Sequence, residues 1–88
     1  MSLFSLSRRT GKALMNKGQT LVTAESCTGG WVAQAVTSVA GSSDWFERGY
    51  VTYSNAAKRA DLGVSAATLR RHGAVSEATA RAMARGAL

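Results

Sequence analysis

The side chains placed best for nucleophilic or acid–base chemistry in this sequence are Ser26, Cys27, Lys58 and His72. Ser26 and Cys27 lie in the stretch Thr20-Leu21-Val22-Thr23-Ala24-Glu25-Ser26-Cys27-Thr28-Gly29-Gly30. It reads as a short buried strand, a tight polar turn, and a glycine pair that opens a helix. A helix N-terminus leaves about four N–H groups unpaired and carries roughly half a positive charge. Such a turn would aim a nucleophile and free backbone donors at a phosphate or a developing oxyanion. A serine needs a base to attack. Histidine is the usual one, and His72 is the single histidine of the chain. The alternative is a desolvated lysine, because burial disfavours the charged form. Lys58 follows Tyr53-Ser54-Asn55-Ala56-Ala57, just after a second predicted strand. Nucleophile and base could therefore share one sheet edge.

Each of these residues also has a plainer reading. Ser26 could cap the helix beginning near Thr28, which from sequence alone is the commoner role for a serine so placed. Lys58 could be a surface lysine. Cys27 could be a small buried hydrophobe. His72, in Arg70-Arg71-His72-Gly73, suits the negative end of a short helix. Glu25 could bind a ribose hydroxyl, orient a base, or be a plain loop carboxylate. One cysteine and one histidine argue against a zinc site, and no metal or cofactor is expected. The phosphate-loop pattern G-x-x-x-x-G-K and the dinucleotide pattern G-x-G-x-x-G are both missing.

The elements that must position these side chains follow from periodicity. Residues 3–17 fit a helix, with Lys17-Gly18 as its stop. Residues 20–24 form a strand of β-branched and apolar types. Residues 28–40 fit a helix whose Trp31, Val32, Ala35, Val36 and Val39 make a wide apolar stripe. Trp45 to Ser54 reads as a second strand, and Trp45 and Phe46 are expected in the core. Short helices follow over Asn55–Asp61 and Ser65–Arg71. Ser76 caps a last helix, with Glu77 at its positive end.

The chain is 88 residues long, which fits a single α/β domain over residues 1–88. A chain of this size buries only about 60–65% of its unfolded surface. Only two strands are convincing, and two strands do not make an independently stable sheet. The last helix also runs apolar to its end. The expectation is a small sheet in a partial domain, completed by oligomerisation or by exchange of a strand or helix between homo-oligomer subunits.

The net charge is +6. Arg8, Arg9, Lys12 and Lys17 lie in the first segment, and Arg70, Arg71, Arg81 and Arg85 in the last two. An anionic partner is one reading: nucleic acid, or a phosphorylated small molecule. Solvated helix faces are the other. The latter is favoured, because the cations are dispersed and no aromatic residues are interleaved with them. No apolar run approaches the roughly 18 residues of a membrane span. Met1-Ser2-Leu3-Phe4-Ser5-Leu6-Ser7-Arg8-Arg9 carries its charges after its apolar residues, the wrong order for a secretory signal. A lone cysteine fits a reducing cytoplasm.

Three motifs occur in one order: Ala24-Glu25-Ser26-Cys27-Thr28-Gly29-Gly30, then Tyr53-Ser54-Asn55 with Lys58, then His72-Gly73-Ala74-Val75-Ser76-Glu77. Together they resemble the C-terminal domain of the CinA (competence/damage-inducible) family, from about Gly11 to Leu88. Stand-alone members of that family are nicotinamide-mononucleotide deamidases. The resemblance implies an α/β/α layered domain and hydrolysis of the nicotinamide mononucleotide carboxamide to the acid and ammonia, in pyridine-nucleotide salvage. It implies Ser26 as nucleophile, Lys58 as general base, and Tyr53 as a wall of the site or an aid to proton transfer. Glu25, Cys27, Thr28, Gly29, Gly30 and Asn55 would shape the pocket and supply backbone donors. The family domain continues for about as long again past the equivalent of Leu88, with a glycine-rich T-G-I-A-G-P-type loop. This chain would then hold the dyad and half of the pocket. The competing expectations are a non-catalytic binding or regulatory module and, ranked last, a basic nucleic-acid-binding protein.

Overall fold

The computed structural model describes residues 2–88. The elements run α1 (Leu3–Asn16), β1 (Leu21–Glu25), α2 (Trp31–Thr37), a 3-10 turn (Ser42–Asp44), β2 (Phe46–Val51), α3 (Asn55–Leu62), α4 (Ala66–His72) and α5 (Glu77–Ala87). β1 and β2 pair in parallel, with Glu25 beside Val51 at their C-terminal ends. Parallel neighbours need a crossover, and the α2 segment supplies it.

Successive side chains of a strand point to opposite faces, and here both faces are covered. Val22, Ala24 and Tyr50 pack on the cluster of Leu62, Val64, Met83 and Ala87, contributed by α3, the segment after it, and α5. The other face carries Thr23 and Gly49 against Ala33 of α2. α1 lies outside α2, where the Ser7 hydroxyl donates to the Ala35 carbonyl at 3.0 Å. This is the expected α/β/α layering around a small sheet.

Serine caps set the helix starts. Ser2, Ser54, Ser65 and Ser76 each accept the N–H three residues on, from Ser5, Ala57, Thr68 and Thr79. Two expected elements come out shorter. α2 begins at Trp31 because Gly30 adopts φ 104°, outside the helical region. It ends at Thr37, where the Thr37 and Ser38 hydroxyls bond back to the Ala33 and Ala35 carbonyls. Its apolar stripe is only partly inward: Trp31 and Val32 are exposed, while Ala35, Val36 and Val39 are half-buried. β2 covers Phe46–Val51 rather than Trp45–Ser54. Trp45 is in the core as expected, but Phe46 is only half-buried. Among the described residues, no helix is long and apolar enough to cross a membrane.

α1 is seated on Trp45 through Gly11. A Cβ on Gly11 would lie 2.5 Å from indole Cε2. Alanine improves intrinsic helix propensity by about 0.8–1.0 kcal/mol over glycine. Overpacking a buried ring costs about 1–3 kcal/mol, and here the clash dominates. Gly11→Ala is therefore expected to lower the urea midpoint. A raised midpoint would show that α1 and the Trp45 ring can separate at no cost.

Candidate active site

Ser26 is the first residue past β1, and Lys58 lies in the first half of α3. The return of β2 through Thr52-Tyr53-Ser54 brings them together. The Thr52 N–H donates to the Glu25 carbonyl at 2.9 Å, so the two strand ends leave the sheet side by side. Ser54 then caps α3 and turns Lys58 inward, where it is 1% exposed. Its Nζ donates to Ser26 Oγ at 3.0 Å and to the Tyr53 carbonyl at 2.9 Å. Ser26 Oγ is 3.3 Å from the same carbonyl. The three groups form a closed triangle. The ion pairs found among the described residues, Arg48–Glu47 and Arg81–Glu77, leave no carboxylate on Lys58. A neutral amine in this triangle keeps one N–H on Tyr53 and turns its lone pair to the serine hydroxyl. An ammonium donates to both oxygens. The arrangement is thus suited to passing one proton between Ser26 and Lys58.

Glu25 faces the other way. It is 5% exposed. Its Oε1 accepts from Thr28 Oγ1 at 2.7 Å, from the Val32 N–H at 2.9 Å and from the Gly30 N–H at 3.2 Å. Its Oε2 accepts from the Ala33 N–H at 2.9 Å. Burial by itself pushes this carboxyl up, but the bonds from Thr28, Ala33, Val32 and Gly30 outweigh it and hold the pKa below its ordinary value. Two expectations are corrected here. Ser26 does not cap α2, because the Glu25 carboxylate does. The glycine pair does not open a free anion site either, because an internal anion already fills it.

The sign of the pH effect follows from that direction. A carboxyl whose pKa is lower folded than unfolded stabilises the fold above its unfolded value. The contribution is lost as pH falls through the folded value. Glu25→Gln is therefore expected to destabilise the chain at neutral pH, by about 1–3 kcal/mol for the disturbed buried bonds. It should also flatten the acid limb of a plot of Tm against pH. An acid limb as steep as that of the unsubstituted chain would assign the limb to other carboxylates.

A cleft of about 530 Å³ opens over Ser26 and Lys58, within the roughly 300–1,000 Å³ of small-molecule sites. Glu25, Ser26, Cys27, Thr28, Tyr53 and Lys58 all line it. Tyr53 presents an exposed ring there, while its contact with Lys58 is through the main chain. Gly29, Gly30 and Asn55 are not on its wall; Asn55 is the exposed first residue of α3. His72 ends α4, exposed and outside the cleft. A larger groove of about 630 Å³ lies between α1 and the 3-10 turn. It is lined by Arg8, Arg9 and Lys12 and holds no nucleophile–base pair.

The residues that sequence reasoning gave no role in the cleft are Ala24 and Val32, the loop residues Ala74, Val75 and Ser76, and Ala80 and Met83 of α5. The Gly73 carbonyl accepts from Thr79 Oγ1 at 2.6 Å and from Ser76 Oγ at 3.0 Å, which pins this loop. Val75 is held there 97% exposed. The available signal was an apolar residue directly before a serine cap, where nothing local buries it.

Comparison with known proteins fits this geometry. The model of the CinA C-terminal domain matches residues 3–88. The chain is 59% identical over 86 residues to a protein named nicotinamide-nucleotide amidohydrolase PncC from Escherichia coli K12, covering 98% of this chain and 52% of that protein. It is 54% identical over 82 residues to a CinA-like protein from Syntrophobacter fumaroxidans, covering 93% of this chain and 19% of the relative. The chain thus spans about half the length, or less, of the curated relatives it matches. Among solved structures, the competence damage-inducible protein A from Klebsiella pneumoniae superposes with a TM-score of 0.96 at 42% identity, over 100% of this chain and 55% of that one. The competence/damage-inducible protein CihA from Agrobacterium tumefaciens gives 0.94 at 49% identity, over 100% and 56%. On the strength of the domain match and the shared fold, this chain belongs to the CinA C-terminal domain family.

Proposed function

We propose that the chain carries the nucleophilic half of a nicotinamide-mononucleotide deamidase site. One observation bears most of the weight: a buried lysine amine 3.0 Å from the hydroxyl of a serine at a cleft floor. In this reading Ser26 Oγ attacks the carboxamide carbon while Lys58 Nζ takes its proton. Lys58 returns that proton to the amide nitrogen, the C–N bond breaks, and ammonia leaves. A water then attacks the Ser26 ester, with Lys58 again as base, and the carboxylic acid is released. Water is the only co-substrate. The Tyr53 ring stands at the mouth as a wall or an aid to proton transfer. The relatives named as nicotinamide-nucleotide amidohydrolases support the substrate class. The test is ammonia release from nicotinamide mononucleotide by the purified chain. A well-folded chain that releases none removes the enzymatic reading.

The second reading is a binding or regulatory module, in which the cleft of about 530 Å³ over Ser26 and Lys58 takes a ligand without turning it over. Binding of nicotinamide mononucleotide by calorimetry, without turnover, would select it. Either reading has the two-stranded sheet completed by a second copy of the chain. Light scattering should then give a mass above that of one chain; a monomeric mass contradicts the assembly.

A further inference from the structure

We propose that the oxyanion of the amide reaction is held by the main-chain N–H groups of Cys27 and Thr28, and not by the start of α2. This rests on the reading of Ser26 and Lys58 as a hydrolytic pair. It follows from an account of every donor in the turn. The Gly29 N–H bonds the Ser26 carbonyl at 3.0 Å, the Trp31 N–H the Thr28 carbonyl at 3.1 Å, and the Gln34 N–H the Gly30 carbonyl at 3.0 Å. The Gly30, Val32 and Ala33 N–H groups all point into the Glu25 carboxylate, at 3.2, 2.9 and 2.9 Å. Between Cys27 and Gln34, only the N–H groups of Cys27 and Thr28 have no acceptor among the described residues. Both residues line the cleft next to Ser26.

The charges point the same way. A helix start whose donors are spent on a carboxylate offers no field to a second anion, and the carboxylate repels one. When Ser26 Oγ bonds to the carbonyl carbon, the C=O π pair moves onto oxygen and the serine proton moves to Lys58. The new negative oxygen lies one bond from the attacked carbon, within the reach of the two residues that follow the nucleophile. Donors fixed before the reaction are the kind that stabilise such a charge. The Gly29 N–H on the Ser26 carbonyl closes the turn around these two residues, and the Glu25 carboxylate holds Thr28 Oγ1 at 2.7 Å.

The test replaces the Thr28 N–H by an ester oxygen, leaving the side chain intact. The Ser26–Cys27 bond is a natural junction for chemical ligation of the two pieces. The expected result is a kcat about 10²–10³-fold lower with KM little changed. A rate within about threefold of the unmodified chain overturns the proposal, since a lost oxyanion donor costs far more. A second readout needs no turnover: amide spectra of the chain with a pyridine boronic acid, whose adduct on Ser26 is a tetrahedral anion. The largest downfield shifts are expected at Cys27 and Thr28. Shifts confined to Gly30, Val32 and Ala33, or no shift in the turn, overturn it. If the unmodified chain releases no ammonia that Ser26→Ala abolishes, the hydrolytic reading is what fails. The boronate spectrum then judges the two donors on their own.

Discussion

Under the proposed mechanism, Ser26→Ala should lower ammonia release from nicotinamide mononucleotide by about 10⁴-fold or more, and Lys58→Met by about 10²–10⁴-fold. The two losses should not add. A base with no nucleophile to serve contributes nothing, so the double variant should be no slower than Ser26→Ala alone. Lys58→Met is the sharper change. Methionine keeps much of the length and volume of the lysine stem at a site that is 1% exposed. Methionine does, however, leave Ser26 Oγ and the Tyr53 carbonyl without the amine that donates to them, at a cost of about 1–3 kcal/mol. The fold should therefore persist with a modestly lower Tm, while turnover collapses. Loss of activity together with loss of structure would make Lys58 a structural residue. Retention of activity in Lys58→Met would dismiss the dyad.

The largest effect on stability should come from a glycine that does not line the cleft. α5 crosses the end of α3 at Gly86, where an added Cβ would overlap the Leu62 carbonyl oxygen and lie 3.0 Å from Leu62 Cα. The obstacle is main chain and cannot swing aside. Alanine's propensity gain of about 1 kcal/mol is small beside that overlap. We expect Gly86→Ala to cost about 3 kcal/mol or more, at or above the upper end of ordinary overpacking. In a domain this small, that is a fall in Tm of roughly 12–24 °C. A Tm that stays within a few degrees would mean the helices can separate cheaply. The same substitution should also open the cleft, because Ala80 and Met83 reach its wall from α5.

Much of this was legible along the chain. Ser76 announces the start of the last helix by local chemistry alone, and Ser54 and Ser65 turn out to cap theirs in the same way. The apolar and β-branched runs announce two strands, and both candidate partners, Ser26 and Lys58, fall just past the strand ends. Other features were not local. Glu25 looked like a loop carboxylate or a ligand for substrate. Its role depends on N–H groups five to eight residues on, at Gly30, Val32 and Ala33. The late start of α2 was hidden too, since it depends on Gly30 adopting φ 104°. By propensity alone a glycine inside a helix is only a weak point, and nothing local gives Gly11 or Gly86 another role. They are instead contact points with Trp45 and Leu62, visible only once the chain has folded. The loop at Ala74–Ser76 reaches the cleft through packing of α5 that no periodicity encodes.

The lysine amine is anchored by the carbonyl oxygen of Tyr53, not by a side chain. Every amino acid at position 53 brings the same oxygen. The anchor therefore cannot be deleted by any substitution there, only displaced by bending the chain. A change at position 53 therefore acts through its side chain alone, on the cleft wall or on proton transfer, and leaves the hold on the Lys58 amine in place. In the proposed mechanism, placing the base and furnishing the cleft mouth are thus separate tasks of one residue, the first carried by its backbone and the second by its ring.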